Sequence, residues 1–246
     1  MDLKRKPYKI GKADIDQIKG MGYTITSSMP TDKFIKKHFP NFDLIALLKE
    51  VEQSFTITTS LPISRQLIVQ EKPPSLSIIY RNDYTGEDDA VYFDREFLKT
   101  GKSIVIKHNF CIIPKTYRNK GLVKKVFQTS LQQYVNMDAE KIIVHAGLSG
   151  GGYVWARHGF VATDRNEVEV ILRDAQRALT PTQFAPVEHL FSAYYTRNPV
   201  GKAFPILLWA GLDGMKDVLL EADWHGEVNL KNNEQFSNFK EYVFRS

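Results

Sequence analysis

The spacing of apolar residues predicts helices in the first third of the chain and strands after it. Apolar side chains recur at helical spacing in Asp43–Phe55. Shorter helices are predicted at Asp14–Lys19 and from Thr31 to His38. The following segments are short, rich in β-branched and aromatic residues, and separated by turn residues, which indicates antiparallel hairpins. These predicted strands are Gln66–Val69, Leu76–Tyr80 and Ala90–Leu98.

The middle of the chain carries the clearest pattern. Residues alternate in Ser103–Ile113, an amphipathic stripe runs through Gly121–Asn136, and Ile142–Val144 is a short apolar run typical of a buried strand. This order predicts a β-α-β unit with parallel strands. On a regular strand, one face of the first segment consists of Ile104, Ile106, His108, Phe110 and Ile112.

The remainder of the chain mixes both patterns. A short helix is predicted at Gly152–His158 and a strand at Glu167–Arg173, and later helices follow Thr180, begin near Asp213 and cover Asn233–Val243. The predicted fold class is α/β (α+β): a mixed, mostly antiparallel twisted sheet with flanking helices and an opening between two parallel strands. We expect a helical N-terminal extension (1–60), a core (61–177) and a C-terminal helical lobe packed on the core (178–246).

Composition narrows the classes of protein. Among 246 residues, 43% are hydrophobic and 25% charged, which is ordinary for a globular protein. The single cysteine, Cys111, excludes an internal disulfide and fits a reducing compartment, so we expect a cytoplasmic protein. The longest apolar run, Phe204–Leu212, is shorter than the about 20 residues that cross a bilayer, so no membrane partner is expected.

Charge and histidine spacing carry less information. The net charge is +5, but no nucleic-acid recognition motif accompanies it, and a nucleic-acid partner is not expected. The six histidines lack the spacing of metal ligands, so no metal is expected. A homodimer is compatible with the sequence.

One segment has the pattern of an anion site. After Ile112 a short basic loop leads to a helix that opens on Gly121. The first turn of a helix has backbone N–H groups without partners and the positive end of the helix dipole. Arg118, Lys120 and Lys124 add positive charge. A pyrophosphate would suit this position.

The run Arg118-Asn119-Lys120-Gly121-Leu122-Val123 resembles the cofactor motif of the GNAT (N-acetyltransferase) superfamily, which is Arg or Gln, two residues, Gly, one residue, then Gly or Ala. Further on, Trp155–Phe160 resembles the family's aromatic residue followed by Gly-Phe. The resemblance covers about 76–173. It implies a GNAT-like fold and an acyl-CoA-dependent N-acyltransferase that transfers the acyl group directly from acetyl-CoA, or from another acyl-CoA, to a small-molecule or protein amine.

The resemblance also implies binding roles. The N–H groups of Asn119–Val123 would hold the cofactor pyrophosphate, and the strand end Phe110–Ile113 would pair with the pantetheine arm. The acyl thioester would lie between that strand and Lys141–Ala146. The implied cofactor-binding residues are Phe110, Cys111, Ile112, Ile113, Arg118, Asn119, Lys120, Gly121, Leu122, Val123 and Lys124.

Three positions depart from the family pattern. Val123 replaces a small residue, Trp155 stands where a tyrosine usually protonates the leaving thiolate, and the loop Gly147–Gly152 lacks an asparagine. An indole cannot protonate a thiolate near pH 7. These departures favour an alternative, a non-catalytic acyl-CoA-binding or protein-interaction module.

Candidate catalytic residues follow from chemistry. Tyr153 has a hydroxyl suited to protonate a thiolate, provided that the glycine-rich segment before Trp155 is not helical. His108 and Glu96, with Asp94 as a rival, are candidate general bases. His108 and Cys111 would leave opposite faces of a regular strand, which argues against a Cys-His dyad.

The acceptor side is assigned to aromatic and polar residues late in the chain. Asp223-Trp224-His225-Gly226 combines a carboxylate, an indole and an imidazole in a predicted turn. We predict that Trp155, Trp224 and His225 contact the acceptor. A packed corner is the competing interpretation of the late cluster.

Overall fold

The computed structural model describes residues 3–84, 86, 88–118, 120–147, 150–201 and 203–245. The chain forms two compact units, Met1–Glu140 and Lys141–Arg245. Each unit has its own β-strands, helices and buried core.

In its described residues, the first unit contains five strands that pair in the order of the sequence. The short strand β1 runs parallel to β2, and each of the following strands runs antiparallel to its predecessor. The predicted hairpins are therefore confirmed; β2 and β3 are longer than the sequence indicated, whereas β4 has the predicted length and is shifted along the chain. The strands are β1 (Thr24–Thr26), β2 (Ile63–Glu71), β3 (Pro74–Asn82), β4 (Tyr92–Thr100) and β5 (Ser103–Ile112).

The part of this unit that the structure describes contains four α-helices, and all four were predicted. They are α1 (Lys12–Gly20), α2 (Thr31–His38), α3 (Leu44–Phe55) and α4 (Leu122–Asn136). Asp43 caps α3 because its carboxylate accepts a hydrogen bond from the Ala46 amide at 2.9 Å. Leu44, Leu47 and Leu48 on this helix are fully buried, and α3 packs against α4.

Aromatic rings join the helices of this unit to its sheet. The Phe55 ring of α3 lies 5.9 Å from Phe93 of β4, and Phe97 of β4 lies 6.2 Å from Tyr134 of α4 in an edge-to-face arrangement. Such pairs stabilise beyond their buried area by about 0.5–1.5 kcal/mol each. Helices α3 and α4 therefore hold β4 through side chains that are buried.

Over the described ranges of the second unit there are three antiparallel strands, β6 (Lys141–His145), β7 (Val161–Ala162) and β8 (His225–Asn229). The last of these, β8, lies between the other two. It lies in the predicted C-terminal helical lobe, 178–246, and begins inside the predicted turn Asp223–Gly226. Five residues with one apolar side chain, Val228, give too little alternation to identify a strand. The helices are α5 (Gly151–Arg157), α6 (Arg165–Ala178), α7 (Pro181–Arg197), α8 (Leu207–Ala210), α9 (Met215–Leu220) and α10 (Asn233–Phe244).

The strand predicted at Glu167–Arg173 is wrong, because this segment lies inside α6. The Asp164 side chain caps α6 by accepting from the Asn166 amide at 2.8 Å. Val168, Ile171 and Ala175 are buried, a spacing that places them on one face of a helix. The alternating apolar residues that predicted a strand at Glu167–Arg173 are part of this longer helical stripe.

The α/β prediction itself is confirmed: the strands are mostly antiparallel, the set is mixed through the parallel β1–β2 pair, and helices flank them. Over the described residues, no helix combines the length and the apolar character required to cross a membrane.

The face of α6 can be tested by three alanine substitutions. Ile171→Ala should lower the free energy of unfolding by about 2–5 kcal/mol because Ile171 is buried. Val168→Ala should also destabilise, whereas Val170→Ala should change stability by less than about 0.5 kcal/mol because Val170 is 44% exposed. Urea denaturation of the three variants measures this pattern. On a strand, Val168 and Val170 would instead share a face, and similar losses for these two would contradict the helix.

Candidate functional site

The turn between β5 and α4 is the first part of the candidate site. After β5 the chain forms a single 3-10 turn, Lys115–Tyr117, closed by a hydrogen bond from the Tyr117 amide to the Pro114 carbonyl at 2.9 Å. The Arg118 Nε donates to the Ile113 carbonyl at 3.3 Å. The basic loop is therefore folded back on the end of β5. Asn119, one of the predicted pyrophosphate residues, lies outside the described residues.

Helix α4 begins with a left-handed glycine. Gly121 is its N-cap, with φ 76° and ψ 1°, a conformation that residues with a side chain rarely adopt. A Cβ at this position would meet nothing within 4 Å, so the backbone angle rather than crowding requires glycine here. No side chain among the described residues caps the helix, and its first turn has no acidic residue.

The first turn of α4 is electrostatically positive. The N–H groups of Leu122, Val123 and Lys124 have no intrahelical acceptor at this end of a helix, and the helix dipole adds to their partial charge. Lys120 lies in the loop with its Nζ 4.8 Å from the centre of the Tyr117 ring. A phosphate group placed here would meet backbone donors and lysine side chains together.

The end of β5 contains a bulge that the sequence did not predict. Asp94 of β4 pairs with Phe110, whereas the next residue, Arg95, pairs with His108. Asn109 is therefore an extra residue in β5. Its side-chain amide, through Nδ2, donates to the Asp94 carboxylate at 3.1 Å. A bulge changes which face the following side chains occupy.

Two predictions about the faces of β5 are wrong for this reason. Phe110 shares the face of its partner Asp94 and stacks on Tyr92 at 4.6 Å, so Phe110 does not share the face of His108. Cys111 pairs with Phe93, and Phe93 lies two residues from Arg95, the partner of His108. Cys111 and His108 therefore occupy the same face of β5, and the prediction that they leave opposite faces is wrong.

Arg95 joins the two strands at the bulge. Its side chain is fully buried, and Nη1 donates to the carbonyls of Asp94 at 2.8 Å and Phe110 at 2.6 Å. The guanidinium lies over the Phe93 ring, 4.4 Å from its centre. A buried charge is costly unless polar and aromatic groups surround it, so these contacts bind the end of β5 to β4.

Burial determines the protonation of the neighbouring side chains. Burial raises the pKa of the Cys111 thiol, and the nearby Arg95 charge opposes the rise without cancelling it. Burial also raises the pKa of Tyr134 to about 12. Both groups are therefore neutral near pH 7, and Cys111 has no thiolate character that would make it a nucleophile.

The predicted bases have structural partners. His108 is buried, and its Nε2 lies 2.8 Å from the Tyr134 hydroxyl. Glu96 is half-buried and pairs with Lys107 across the strands at 2.9 Å. Burial raises the pKa of the rival Asp94, while its hydrogen bond from Asn109 acts in the opposite direction. A role as general base stays a prediction for these residues.

In the second unit, Tyr153 and Trp155 both lie inside α5. The segment from Gly151 is helical, so the condition set for Tyr153 to replace the family's tyrosine is not met: side chains two residues apart on a helix point about 200° apart. The Trp155 ring packs 5.0 Å from Phe160 and 5.4 Å from His158. Burial lowers the pKa of His158 to about 4, which keeps this packed imidazole neutral at pH 7.

Glycines near α5 permit close packing. A Cβ on Gly152 would lie 2.2 Å from the Leu219 carbonyl oxygen and 2.7 Å from that of Ala222, and a Cβ on Gly226 would lie 2.3 Å from the Trp224 ring. Trp224 is fully buried. The last residue of the Gly147–Gly152 loop, Gly152, thus packs tightly, and Leu148 and Ser149 lie outside the described residues.

A polar cluster lies where β6 and β8 pair; the sequence identified two of its members, Asp223 and His225, but not His145 and Glu167. His145 is opposite His225 in the register, and their rings stack 4.3 Å apart with 2° between the planes. His145 Nε2 lies 2.5 Å from Asp223 Oδ1, and His225 Nδ1 lies 2.6 Å from Glu167 Oε1. Only the pairing of β8 could reveal this cluster, and that strand has no clear sequence signal.

No family model and no curated protein matches the chain. Among solved structures, it is similar to a point mutant of the spermidine N-acetyltransferase SpeG from Vibrio cholerae, at 15% sequence identity and a TM-score of 0.24. The match covers 36% of this chain and about half, 53%, of that protein. At these values the match does not establish a family.

The close packing of α5 can be tested at Gly152. Gly152→Ala should destabilise the protein by about 1–3 kcal/mol, because the methyl group would collide with two backbone carbonyls that cannot rotate away. Gly211→Ala is the matched control, since a Cβ there meets nothing within 4 Å. Thermal and urea denaturation measure both variants. Equal stability of Gly152→Ala and the control would contradict this packing.

Proposed function

We propose that the protein binds an acyl-CoA, with acetyl-CoA as the natural candidate, and transfers its acyl group to an amine. The observation that carries this proposal is the opening of α4. A left-handed glycine starts a 15-residue helix that has no side-chain cap among the described residues and no acidic residue in its first turn. This arrangement suits the pyrophosphate of coenzyme A.

The positive charge of the loop supports the same ligand. Lys120 and Lys124 lie on either side of Gly121, and Arg118 precedes them. A diphosphate carries several negative charges, so lysine side chains and helix N–H groups would bind it together. The sequence resemblance to GNAT cofactor motifs falls on these same residues.

The bulged end of β5 supports a role for the strand as well. Arg95 fixes the Phe110 carbonyl, and the β5 residues beyond the bulge, Cys111 and Ile112, are only half-buried. We propose that this strand end binds the pantetheine arm through backbone hydrogen bonds. Binding energy from the nucleotide would then position the thioester for direct attack.

A non-catalytic acyl-CoA-binding or protein-interaction module is the second candidate. The tryptophan at position 155 and the helical position of Tyr153 favour it, because neither residue supplies the family's acid. Thiol release from acetyl-CoA, measured with a set of primary amines, separates the two. Binding without release of thiol in the presence of any amine would identify the second candidate.

The cofactor site is tested by charge reversal. Lys124→Glu should weaken coenzyme A binding by about tenfold or more, because a charged hydrogen bond contributes about 1.5–3 kcal/mol and a repulsive charge replaces it. It should leave the affinity for pantetheine, which lacks the diphosphate, unchanged. Titration calorimetry measures both ligands.

Lys49→Glu is the matched control, because Lys49 is an exposed lysine on α3 of the same unit. It should bind coenzyme A as the wild type does. Equal affinities of the Lys124→Glu and Lys49→Glu variants for coenzyme A, with both proteins folded by circular dichroism, would remove the start of α4 from the site.

A further inference from the structure

The first unit contains an open cavity of about 420 Å³ that is lined by the end of α2 and by the segment before α1. Its described lining is mostly proline and aromatic residues, with two cationic side chains, Lys9 and Lys36, and none that is acidic. Ligand sites in proteins have this character, a largely apolar wall with a few polar groups, and enclose about 300–1,000 Å³. The residues proposed to bind acyl-CoA are not part of this lining.

The apolar wall of the cavity is held by the sheet. Phe39 and Phe42 line the cavity, and both are buried. Their rings pack against Phe97 of β4, with centres 6.3 Å away for Phe39 and 4.7 Å away for Phe42. The Phe42 amide also donates to the Phe39 carbonyl at 3.4 Å and closes the turn between them. An apolar ligand would therefore meet a wall that is already formed.

The opposite wall is the segment Pro7–Ile10, which is fastened to two other elements. The Lys6 amide donates to Asn136 Oδ1 at 2.9 Å, at the last residue of α4. The Tyr8 amide donates to Asn41 Oδ1 at 3.4 Å. These bonds fix the backbone of the segment, so the cavity has two walls that do not need to assemble around a ligand.

Asn41 brings hydrogen-bond donors to the cavity. Its backbone is left-handed, with φ 63°, a conformation that asparagine adopts more readily than most residues. Its Oδ1 is used by the Tyr8 amide, and the Nδ2 group of the same side chain carries two N–H donors. Asn41 therefore suits a ligand that has a hydrogen-bond acceptor.

Tyr8 contributes a ring rather than a charge. Burial raises the pKa of Tyr8 to about 12, with further contributions from the charge of Asp43 and from a hydrogen bond to Asp14. The phenol is therefore neutral at pH 7 and its hydroxyl is directed to Asp14. Neither carboxylate belongs to the lining of the cavity.

The charge of the cavity is small and positive. Lys9 and Lys36 are both exposed, and Lys36 pairs with Asp32, four residues earlier on α2, at 3.3 Å. Because Asp32 offsets one of the two lysine charges, about one net positive charge faces a ligand. A monoanion matches this charge better than a phosphate does.

We infer that this cavity binds a small carboxylate with an apolar body, such as an arylacetate. The apolar body lies against Phe39 and Phe42, and the carboxylate accepts from Lys36 and from Asn41 Nδ2. The site goes beyond the proposed acyl-CoA site and does not rest on it. Helix α4 has 15 residues, about 22 Å at its rise per residue. The proposed cofactor lies at its first turn, whereas the wall of the cavity is fastened to its last residue.

Binding is tested by backbone amide NMR during titration with sodium phenylacetate, without coenzyme A. We expect saturable shifts at Tyr8, Lys9 and Asn41. Phenylacetamide, which has the same shape and no charge, and acetate, which has the charge and no ring, should each bind about tenfold more weakly. Phenyl phosphate should bind no more tightly than phenylacetate. Equal affinity for phenylacetamide, tighter binding of phenyl phosphate, or no shifts at these amides would overturn the inference.

Two substitutions on α2 connect the shifts to the charges of the cavity. Lys36→Gln should weaken phenylacetate binding by about threefold, the usual scale for an exposed ion pair. Asp32→Asn should strengthen it by up to about threefold, because Lys36 loses its competing partner. A residue that only maintained the fold would not produce this gain.

Lys37→Gln is the matched control, because Lys37 is the next residue of α2, is exposed, and does not line the cavity. It should bind phenylacetate as the wild type does. Circular dichroism checks that all three variants are folded. Equal affinities of Lys36→Gln and Lys37→Gln, or weaker binding by Asp32→Asn, would contradict a carboxylate site at this cavity.

Discussion

The pairing of β5 with β4 is the constraint on which the candidate cofactor site depends. Arg95 is buried at the bulge between these strands and donates to carbonyls on both of them. Its charge has no exit to water, so the strands must stay paired around it. This fixes the end of β5, the turn that follows, and thereby the point at which α4 begins.

The start of α4 is where the fold leaves backbone groups for a ligand. A left-handed Gly121 reverses the chain, and no side chain in the described ranges caps the first turn. A Ser, Thr, Asp or Asn often provides that acceptor, as Asp43 does for α3 and Asp164 does for α6, whereas α2 and α5 lack a side-chain cap as α4 does. The basis for proposing an anionic cofactor at α4 is therefore the combination of this uncapped start with the positive residues Arg118, Lys120 and Lys124.

The second unit is organised around close packing rather than around charge. Gly152 and Gly226 let the chain approach buried Trp224 and the carbonyls near α9. This packing surrounds the short strand β8 and presents Asp223 and His225 at the surface. The polar cluster is thus supported by a core in which extra methyl groups have no room.

Periodicity predicted those elements that are long and amphipathic, such as α3, α4 and the hairpins from β2 to β5. It failed in α6, where a few alternating residues within a helical stripe resembled a strand. It also missed β8 and the bulge at Asn109, because neither leaves a repeating pattern in sequence. The turn proposed to bind an anion was predictable because its glycine, its lysines and the start of its helix are neighbours in the sequence. The histidine cluster was not, because it arises from strand pairing between residues about 80 positions apart.

Binding of coenzyme A to the first turn of α4 can be tested residue by residue by amide hydrogen exchange of the protein with and without coenzyme A. We predict slower exchange at Leu122, Val123 and Lys124, whose N–H groups would donate to the diphosphate, with little change in the already hydrogen-bonded middle of α4. Binding of coenzyme A with unchanged exchange at these three amides would contradict it.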